Sequence, residues 1–393
     1  MPQRVGVVGA GYAGLAALAR LQRLASTVRP DLDLEMELVN PAPRHVFVTE
    51  LHTVAAGVVG AQRVASPLLR FLRPDTAIRV DTAVAVLPDG LGVDLASGVR
   101  RYYDALILTP GWEPEYYGIP GLRAHAWTIS DLQSAVGLRN RLRQLVAAPP
   151  PGRVIVAGAG LTGVELAAEV ADIARGRLET TLVEAAPRIL AGLPPRVAEL
   201  AGRILRDELG VQVLTGDPVA AATPGELRLH SGQAVPFDIL IWCGGVRGSR
   251  LLAASGLPCN RRGQVETGPG LEVPGRPGLF VAGDAAAVVD PGSGAPLPPS
   301  AQLAARGGAA AALGVVRRLA GREPPPFIPH LDGYFISLGR HRGVGVVGDA
   351  VVSGLAAVAL KHSLESAHAG AAGGPAAFLG RALGIEFPGG TAD

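Results

Sequence analysis

Five short runs of residues along the chain have the pattern of buried β-strands. Three are apolar and lead directly into a glycine: Val5 to Val8, Val154 to Ala157, and Leu279 to Ala282. The other two, Leu34 to Val39 and Thr180 to Val183, each follow a segment with an apolar helical pattern. Strands that alternate with helices in this way predict parallel sheets. The predicted fold class is therefore α/β.

The first strand runs into the segment RVGVVGAGYAGLAALARL, where Gly9, Gly11 and Gly14 have G-x-G-x-x-G spacing. The first glycine permits a tight turn, the second lets backbone approach a pyrophosphate, and the third allows the helix to pack closely on the strand. The N–H groups at the start of the helix attract the phosphate. The next strand ends at Asn40, where such motifs usually have an Asp or Glu that binds ribose hydroxyls.

The segment GRVIVAGAGLTGVELAAEV repeats the pattern with Gly158, Gly160 and Gly163, about 150 residues further along the chain. The strand after this motif ends at Glu184. A carboxylate there accepts hydrogen bonds from a ribose 2′-hydroxyl and repels a 2′-phosphate, which favours NAD over NADP. Nearby Arg188 argues against this preference for NAD. The alternative is that Arg188 is a solvated residue at the start of a helix. Two such motifs predict two dinucleotide cofactors.

A third strand end occurs in GRPGLFVAGDAAAV, where Gly283-Asp284 precedes a predicted Ala-rich helix. A carboxylate at the mouth of a sheet can accept a hydrogen bond from a ribitol hydroxyl, while the helix N-terminus faces phosphate. The alternative is that Gly-Asp only caps the helix.

Composition excludes several classes of function. The chain has 393 residues, enough for two or three domains, with 48% hydrophobic and 18% charged residues. A formal net charge of +2 argues against nucleic acid as a partner. The two cysteines, Cys243 and Cys259, form neither a redox pair nor a metal-ligand cluster, so no metal site is predicted.

No membrane span or signal peptide is predicted. The amino-terminal MPQRVGVVGAG leads directly into a strand. The longest apolar stretch, Gly343 to Leu360, is interrupted by Asp349 and predicts a strand, a turn and a helix.

Together these motifs resemble the flavoprotein superfamily with two dinucleotide-binding domains, and within it type II NADH:quinone oxidoreductase, a non-pumping NADH dehydrogenase of the respiratory chain. The segments that carry the resemblance are RHVFVTELHTVAAG, YDALILTPG, GLTGVELAAE, VEAAPRILAGLPPRV, DILIWCGGVRGS, LPCNRRGQVETGPGLEVPGRPGLFVAGDAA and PLPPSAQLAARGG. The last of them is the most specific to that family.

The resemblance implies FAD at the first glycine motif, with Gly283-Asp284 at its ribitol, and NADH at the second. It also implies positions along the two cofactors for Thr49, Gly111, Gly244 and Ala301. Thr49 and Gly111 would lie along FAD, Gly244 near the nicotinamide nucleotide, and Ala301 by the isoalloxazine.

Three further residues are implied to act at the place where nicotinamide, flavin and quinone meet: Glu165, Gln302 and Lys361. Each has an alternative. Glu165 would then be an early-helix carboxylate favoured by the helix dipole. Gln302 would be a helix cap or a surface amide, and Lys361 a solvated helix residue.

Several positions depart from the family pattern. Asn40 replaces the usual acid, Thr109-Pro110 precedes Gly111, Glu50 places a charge near the flavin, and Arg306 follows Ala-Gln where some relatives have Gln or Glu. After a predicted strand pair within Gly333 to Gly348 and a helix to Ser366, the chain ends in a weakly amphipathic AAFLGRALGIEF. That segment either docks on a membrane or packs on the body of the protein.

The predicted architecture has two Rossmann-like domains, one inserted in the other, and a small C-terminal α+β segment. Residues 1–114 and 248–325 would form the FAD domain, residues 115–247 the NAD domain, and residues 326–393 the C-terminal cap. The implied reaction passes hydride from NADH to flavin and two electrons to a quinone. Two alternatives are a soluble NAD(P)H-dependent reductase of ferredoxin or small acceptors, and an NADH-responsive redox sensor. The expected location is cytoplasmic; attachment to the inner face of the membrane and a homodimer are left open.

Overall fold

The computed structural model describes residues 2–25, 33–87, 90–149, 151–348 and 350–364. Its first part contains two helices and ten strands: β1 (Gln3–Val8), α1 (Tyr12–Arg23), β2 (Leu34–Asn40), β3 (Arg44–Val46), α2 (Leu51–Ala56), β4 (Ala65–Pro67), β5 (Ala77–Val80), β6 (Ala83–Val86), β7 (Gly92–Leu95), β8 (Arg100–Tyr102), β9 (Ala105–Leu108) and β10 (Trp112–Pro114).

The middle part contains four helices and nine strands: α3 (Leu122–His125), β11 (Ala126–Trp127), α4 (Leu132–Ala147), β12 (Gly152–Ala157), α5 (Leu161–Ala174), β13 (Leu178–Glu184), α6 (Pro195–Arg203), β14 (Gln212–Thr215), β15 (Val219–Thr223), β16 (Glu226–Leu229), β17 (Ala234–Pro236), β18 (Ile239–Trp242) and β19 (Val246–Gly248). The last part contains α7 (Arg250–Ala253), β20 (Leu279–Val281), α8 (Ala301–Leu319), β21 (Gly333–Ser337), β22 (Gly343–Val347), β23 (Ala350–Ser353) and a helix α9 over residues 355–364.

Two five-stranded parallel sheets organise the molecule. The first has the order β20-β9-β1-β2-β5 and the second the order β11-β18-β12-β13-β14. The chain therefore leaves the first sheet after β9, builds the second, and returns to the first with β20. The chain passes from the first sheet to the second near β10 and returns near β19, and these two strands pair in antiparallel orientation. The predicted α/β fold with one unit inserted in the other is confirmed, while the numbered domain boundaries stay predictions.

The second sheet shares one apolar core with elements from both ends of the chain. Leu51 and Val54 of α2 and Ile336 of β21 are buried in the same cluster as Val164 of α5 and Val154 of β12. Helix α5 is therefore covered by a first-part helix on one side and by the C-terminal strands on another. This packing brings residues that are far apart in sequence to α5.

All five predicted strands form, with ends within two residues of those expected. The Ala-rich helix predicted after Asp284 is wrong. Residues Gly283–Ala285 make a single 3-10 turn, and Ala286 then forms a β-bridge with Val265. The Pro-rich segment that follows delays the next helix until Ala301. The role predicted for a helix N-terminus at Asp284 falls with that helix.

The C-terminal segment follows the prediction of a strand pair and a helix, and β23 is an additional third strand. The stretch from Gly343 to Leu360 forms β22, β23 and the start of α9, as expected. Among the described residues, no helix combines the length and the apolar character that crossing a bilayer requires. The amphipathic segment AAFLGRALGIEF lies outside the described residues.

Candidate functional site

The two glycine loops have the same geometry. Gly9 and Gly158 have φ of +99° and +104°, a region that glycine adopts without strain. A Cβ on Gly14 would overlap the carbonyl oxygen of Gly9, and a Cβ on Gly163 would overlap that of Gly158. The third glycine of each loop is therefore required for the helix to pack against the turn.

The middle glycine of each loop faces open space. A Cβ on Gly11 or Gly160 would meet no atom within 4 Å. Each of these glycines is also the N-cap of its helix, α1 or α5, and neither helix start has a side-chain cap. The first N–H groups of both helices are therefore left for a ligand, and a pyrophosphate is the group that such a loop accepts.

Asn40 and Glu184 occupy equivalent places at the ends of β2 and β13. Asn40 Oδ1 accepts a hydrogen bond from Ala10 N at 2.9 Å, and Glu184 Oε2 accepts one from Ala159 N at 2.6 Å. Both side chains thus hold the loop between its first two glycines. Glu184 Oε1 also accepts from Ala186 N at 2.8 Å. Only Glu184 brings a full charge toward an adenosine ribose.

Arg188 binds its own loop. Its guanidinium donates to the carbonyl oxygens of Leu190 at 3.1 Å, Ala191 at 2.7 Å and Leu193 at 2.9 Å. The group is therefore occupied in holding this turn. This arrangement favours the NAD prediction over a 2′-phosphate site.

Asp284 lies at the carboxyl end of β20, beside the first glycine loop. A Cβ on Gly283 would come against Ala13 of α1, which shows how closely the two elements approach. Asp284 also lines a small cavity with Leu303 and Pro299. Burial raises the pKa of Asp284 to about 7, opposed by a hydrogen bond from the backbone of Ser300. A carboxyl held in this way gains from a hydroxyl donor, and the ribitol of FAD would supply one.

The other residues implied along the cofactors lie at the edges of the two loops. Thr49 Oγ1 is 2.8 Å from the hydroxyl of Tyr12, the first residue of α1. Gly111 follows β9 with φ of +76° and would have open space at a Cβ. Gly244 follows β18, and a Cβ there would meet the ring of Trp242. Their predicted contacts with cofactor stay predictions.

A buried polar cluster forms where α5, α2, β21 and α9 meet. It consists of Glu165, Lys361, His52 and Ser337, which are between 1% and 8% exposed. Lys361 Nζ donates to Glu165 Oε1 and, at 2.9 Å, to Ser337 Oγ. Ser337 N donates to Glu165 Oε1 at 3.0 Å, and His52 Nε2 is 3.3 Å from Ser337 Oγ. The tertiary structure therefore brings together two of the three residues predicted to act.

Charge at this cluster keeps Glu165 ionised. Burial alone would raise the pKa of Glu165, but the Lys361 ammonium and the nearby His52 hold it below its ordinary value. The alternative for Lys361, a solvated helix residue, is wrong because Lys361 is buried. Glu165 lies beyond the first turn of α5, which contains no acidic residue.

The sequence prediction missed His52 and Ser337. His52 lies inside RHVFVTELHTVAAG, one of the segments that carry the resemblance, so a signal was present. Ser337 ends a strand and had none, since only the pairing of β21 with β22 places it over α5.

Gln302 contacts the other end of β21. Its amide donates to Gly333 O at 2.9 Å and accepts from Asp332 N at 2.8 Å. The N-cap of α8 is Ser300, whose side chain accepts from Leu303 N, so the helix-cap alternative for Gln302 is wrong. Gln302 therefore ties the start of α8, next to Ala301, to the C-terminal segment, whereas Glu165 and Lys361 bind Ser337 at the far end of the same strand.

Arg306 supports the same connection. Its Nη2 donates to both carboxylate oxygens of Asp332, at 2.9 and 2.8 Å, and its Nη1 donates to the carbonyl of His330. The departure from the family pattern at this position thus has a structural partner on the C-terminal segment.

Comparison with known proteins places this chain in a family. The sequence model of the pyridine nucleotide-disulphide oxidoreductases matches residues 3–308. Type II NADH:quinone oxidoreductase from Staphylococcus aureus (strain MSSA476) is 30% identical over 386 residues, which cover 93% of this chain and 94% of that protein. The chain belongs to the type II NADH:quinone oxidoreductase family.

Solved structures share the family's fold. The structure of NDH2 from Plasmodium falciparum in complex with NADH matches with a TM-score of 0.83 at 14% identity, over 98% of both chains. The sulfide:quinone oxidoreductase from Aquifex aeolicus matches with a TM-score of 0.79 at 19% identity, over 93% of this chain and 90% of that one. At these identities the two structures show the fold alone.

The cysteines of this family member are poorly suited to thiol chemistry. Cys243 lies behind the second glycine loop, where a Cβ on Gly158 would meet its backbone. Burial raises the pKa of the Cys243 thiol to about 12, which keeps it protonated. Burial also raises the pKa of Cys259. A protonated thiol is a weak nucleophile, so electron transfer through these sulfurs is disfavoured.

Proposed function

We propose that the protein is an FAD-dependent oxidoreductase that oxidises NADH and reduces a quinone. The observation that carries this proposal is the buried pair of Glu165, on the helix that begins in the second glycine loop, and Lys361 of α9. Helix α5 thus offers its N-terminus to a dinucleotide and, together with α9, a proton-carrying pair to an acceptor.

For NADH, the second loop supplies the N–H groups at the start of α5 and the carboxylate of Glu184. The carboxylate is fixed by Ala159 N and Ala186 N, so it is oriented before the nucleotide binds. Its charge favours a ribose with a free 2′-hydroxyl.

For FAD, the residues present fit the group. The open space at Gly11, the uncapped start of α1 and the carboxyl of Asp284 lie on the loops that a dinucleotide would follow. FAD, when bound, accepts hydride from a nicotinamide and returns electrons to a second acceptor. Asn40 would bind the ribose as a neutral partner.

For the quinone, the cluster supplies a proton. Reducing a quinone to a quinol adds two electrons and two protons, and NADH brings only two electrons and one proton. Lys361 Nζ is a donor whose ammonium is held by Glu165 Oε1 and Ser337 Oγ. We assign to this pair the proton that a quinone oxygen receives. We place the protein at the cytoplasmic face of a membrane, where quinones dissolve.

The test is a steady-state comparison of NADH and NADPH with several soluble quinone analogues, with and without lipid vesicles. We expect a yellow protein that prefers NADH and reduces quinone. Glu184→Gln should weaken NADH binding about tenfold, because a hydrogen bond to a charged group contributes about 1.5 kcal/mol or more. The exposed Glu179→Gln, on the same strand, is the matched control.

The alternatives make different predictions in the same assay. A protein that oxidises NADH with ferredoxin or ferricyanide but with no quinone analogue would be a soluble reductase, and the proposal would be wrong. A protein that is reduced by NADH and that no acceptor reoxidises quickly would be a sensor. A colourless protein without flavin absorbance would contradict all three.

A further inference from the structure

Three acidic residues follow one face of helix α5. Glu169 lies one turn after Glu165, and Asp172 nearly one turn after Glu169. Residues three and four apart on a helix are neighbours, with about 5–6 Å between their Cβ atoms. The three carboxylates therefore form a row that begins at the buried cluster and runs toward the C-terminal end of α5.

Glu169 is the unexplained member of this row. It is 3% exposed, and within the described part of the chain its Oε2 is buried without a hydrogen-bond partner. Burying a carboxyl group without satisfying both of its oxygens is costly, and such groups in native proteins call for a reason. An apolar residue of similar size would fill the same space without this cost.

Charges of both signs face Glu169. Lys361 approaches from α9 and Arg340 from the β21–β22 connection, while Glu165 and Asp172 lie on its own helix. Burial raises the pKa of Glu169 to about 7; the two cations oppose the shift and the two carboxylates add to it. Glu169 therefore exchanges its proton near neutral pH, where a proton-transfer group is most effective.

The outer end of the row reaches the surface. Asp172 accepts hydrogen bonds from Arg340 N and from Arg342 Nη1, both at 3.3 Å. Arg342 also binds Glu208 at 2.7 Å, and the side chains of Asp172 and Glu208 are 22% and 51% exposed. Solvent thus meets the row at Asp172, two helical turns from Glu165.

Quinone reduction needs a path by which a proton from solvent reaches the buried Glu165–Lys361 pair. The reaction is NADH + H⁺ + quinone → NAD⁺ + quinol, so each turnover consumes one proton from solvent. Glu165 and Lys361 are only 6% and 8% exposed, so little of either side chain meets bulk water.

We propose that Glu169 relays this proton from the Asp172 end of α5 to the Glu165–Lys361 pair, an inference that rests on the proposed quinone reductase activity. A proton from solvent binds the Glu169 carboxyl and passes to Glu165. It replaces the proton that the pair has given to a quinone oxygen, while both electrons come from NADH. Glu169 acts through Glu165 and is a positioning and relay residue.

The first experiment is an infrared pH titration of the FAD-loaded protein with isotope-labelled glutamate. A glutamic acid carbonyl band should disappear near neutral pH in the wild type and be absent from Glu169→Gln. The signal of Asp284 carries no label and does not interfere. If no labelled carboxyl ionises near neutral pH, the relay is wrong, whatever the variants do in turnover.

The second experiment compares quinone with ferricyanide, an acceptor that takes electrons and no proton. Glu169→Gln has the shape of the neutral acid, so it should keep its FAD and its ferricyanide rate. Its quinone rate should fall about 100-fold, the lower end of the range for proton transfer by a side chain. The wild-type quinone rate should decline above about pH 7 as Glu169 ionises, and Glu169→Gln should lack this decline. Glu169→Asp should restore part of the rate, and Glu179→Gln should change neither.

These outcomes separate the relay from the function on which it rests. A wild type that reduces ferricyanide but no quinone would overturn the proposed function. A wild type that reduces quinone, with a Glu169→Gln variant of equal rate and the same pH profile, would overturn the relay alone. Equal losses with both acceptors would indicate a structural role for Glu169 and would also overturn the relay.

Discussion

At the scale of single residues, one position can serve two purposes with different chemical demands. Asn40 and Glu184 both anchor the loop before them through one side-chain oxygen. Anchoring needs an acceptor and not a charge, so an amide suffices at Asn40. Selecting a ribose with a free 2′-hydroxyl benefits from a charge, which only Glu184 provides.

Removing one partner of the buried Glu165–Lys361 pair should destabilise the protein more than removing both. Lys361→Met should lower the free energy of unfolding by about 3–5 kcal/mol, because it leaves the Glu165 carboxylate buried without its cation. The double variant Glu165→Gln/Lys361→Met should recover most of this loss. Urea denaturation of the wild type, Lys361→Met, Glu165→Gln and the double variant, all with excess FAD, measures the effect. A double variant as unstable as the sum of its two single changes would contradict the coupling.

Asp284 predicts a pH dependence of stability. Because burial raises its pKa to about 7, the folded protein binds this proton more tightly than the unfolded chain does. Its contribution to stability is present below the ordinary Asp pKa and is lost as pH rises through about 7. In FAD-free protein, Asp284→Asn should therefore reduce the fall in Tm between about pH 5 and pH 8, as followed by circular dichroism. Burial raises the pKa of Glu169 as well, so the Tm of the Asp284→Asn variant should still fall somewhat as the pH rises. An unchanged slope would argue against a raised pKa at Asp284.

At the scale of elements, each dinucleotide site is built from a strand, a three-glycine turn and a helix start. The helix provides N–H groups only because its first turn carries no side-chain cap. The third glycine is needed for packing and the second for access, so the two glycines have separable functions.

A pair of glycine variants tests this separation. Gly160→Ala places a methyl group in open space, so the protein should fold with its usual Tm. That methyl group occupies the approach to the pyrophosphate, and the KM for NADH should rise at least about tenfold. Gly163→Ala should instead overlap Gly158 O and destabilise the protein by about 2 kcal/mol or more. Thermal unfolding and NADH kinetics distinguish the two. Equal effects on Tm would refute the division of roles.

At the scale of the whole molecule, the site is closed by chain segments that return late. Strand β20 completes the first sheet after the second sheet is built, and β21 with α9 then covers α5. Gln302 and Arg306 on α8 hold the beginning of the C-terminal segment at residues 330–333. The cover that β21 and α9 form over α5 therefore depends on contacts far from Glu165.

Gln302→Ala tests this dependence. Losing two hydrogen bonds to the backbone of Asp332 and Gly333 should cost about 1–3 kcal/mol of anchoring. We expect the KM for quinone to rise several-fold while FAD content and the KM for NADH stay unchanged. The exposed Gln133→Ala on α4 is the control. A variant that loses FAD together with quinone binding would place Gln302 in the flavin site itself.

The local parts of the site could be predicted from the sequence because they are contiguous. Both strand–glycine–helix units, the acceptors Asn40 and Glu184, and the carboxyl of Asp284 each follow from a short run of residues whose backbone geometry is set nearby. The predicted helix after Asp284 failed for the opposite reason, since the β-bridge of Ala286 to Val265 is a non-local contact.

What the tertiary structure alone decided is the buried cluster. Glu165 and Lys361 are 196 positions apart, and His52 and Ser337 are 285 apart. No periodicity in the sequence relates them. Resemblance to a family could name two of these residues, but their pairing depends on the shared core that packs α2 and β21 around α5. It also depends on the hydrogen bond by which Lys361 of α9 reaches Glu165. The sequence by itself determined the two strand–glycine–helix loops, because each is built from contiguous residues. The packing determined which side chains meet around α5, because they come from distant parts of the chain.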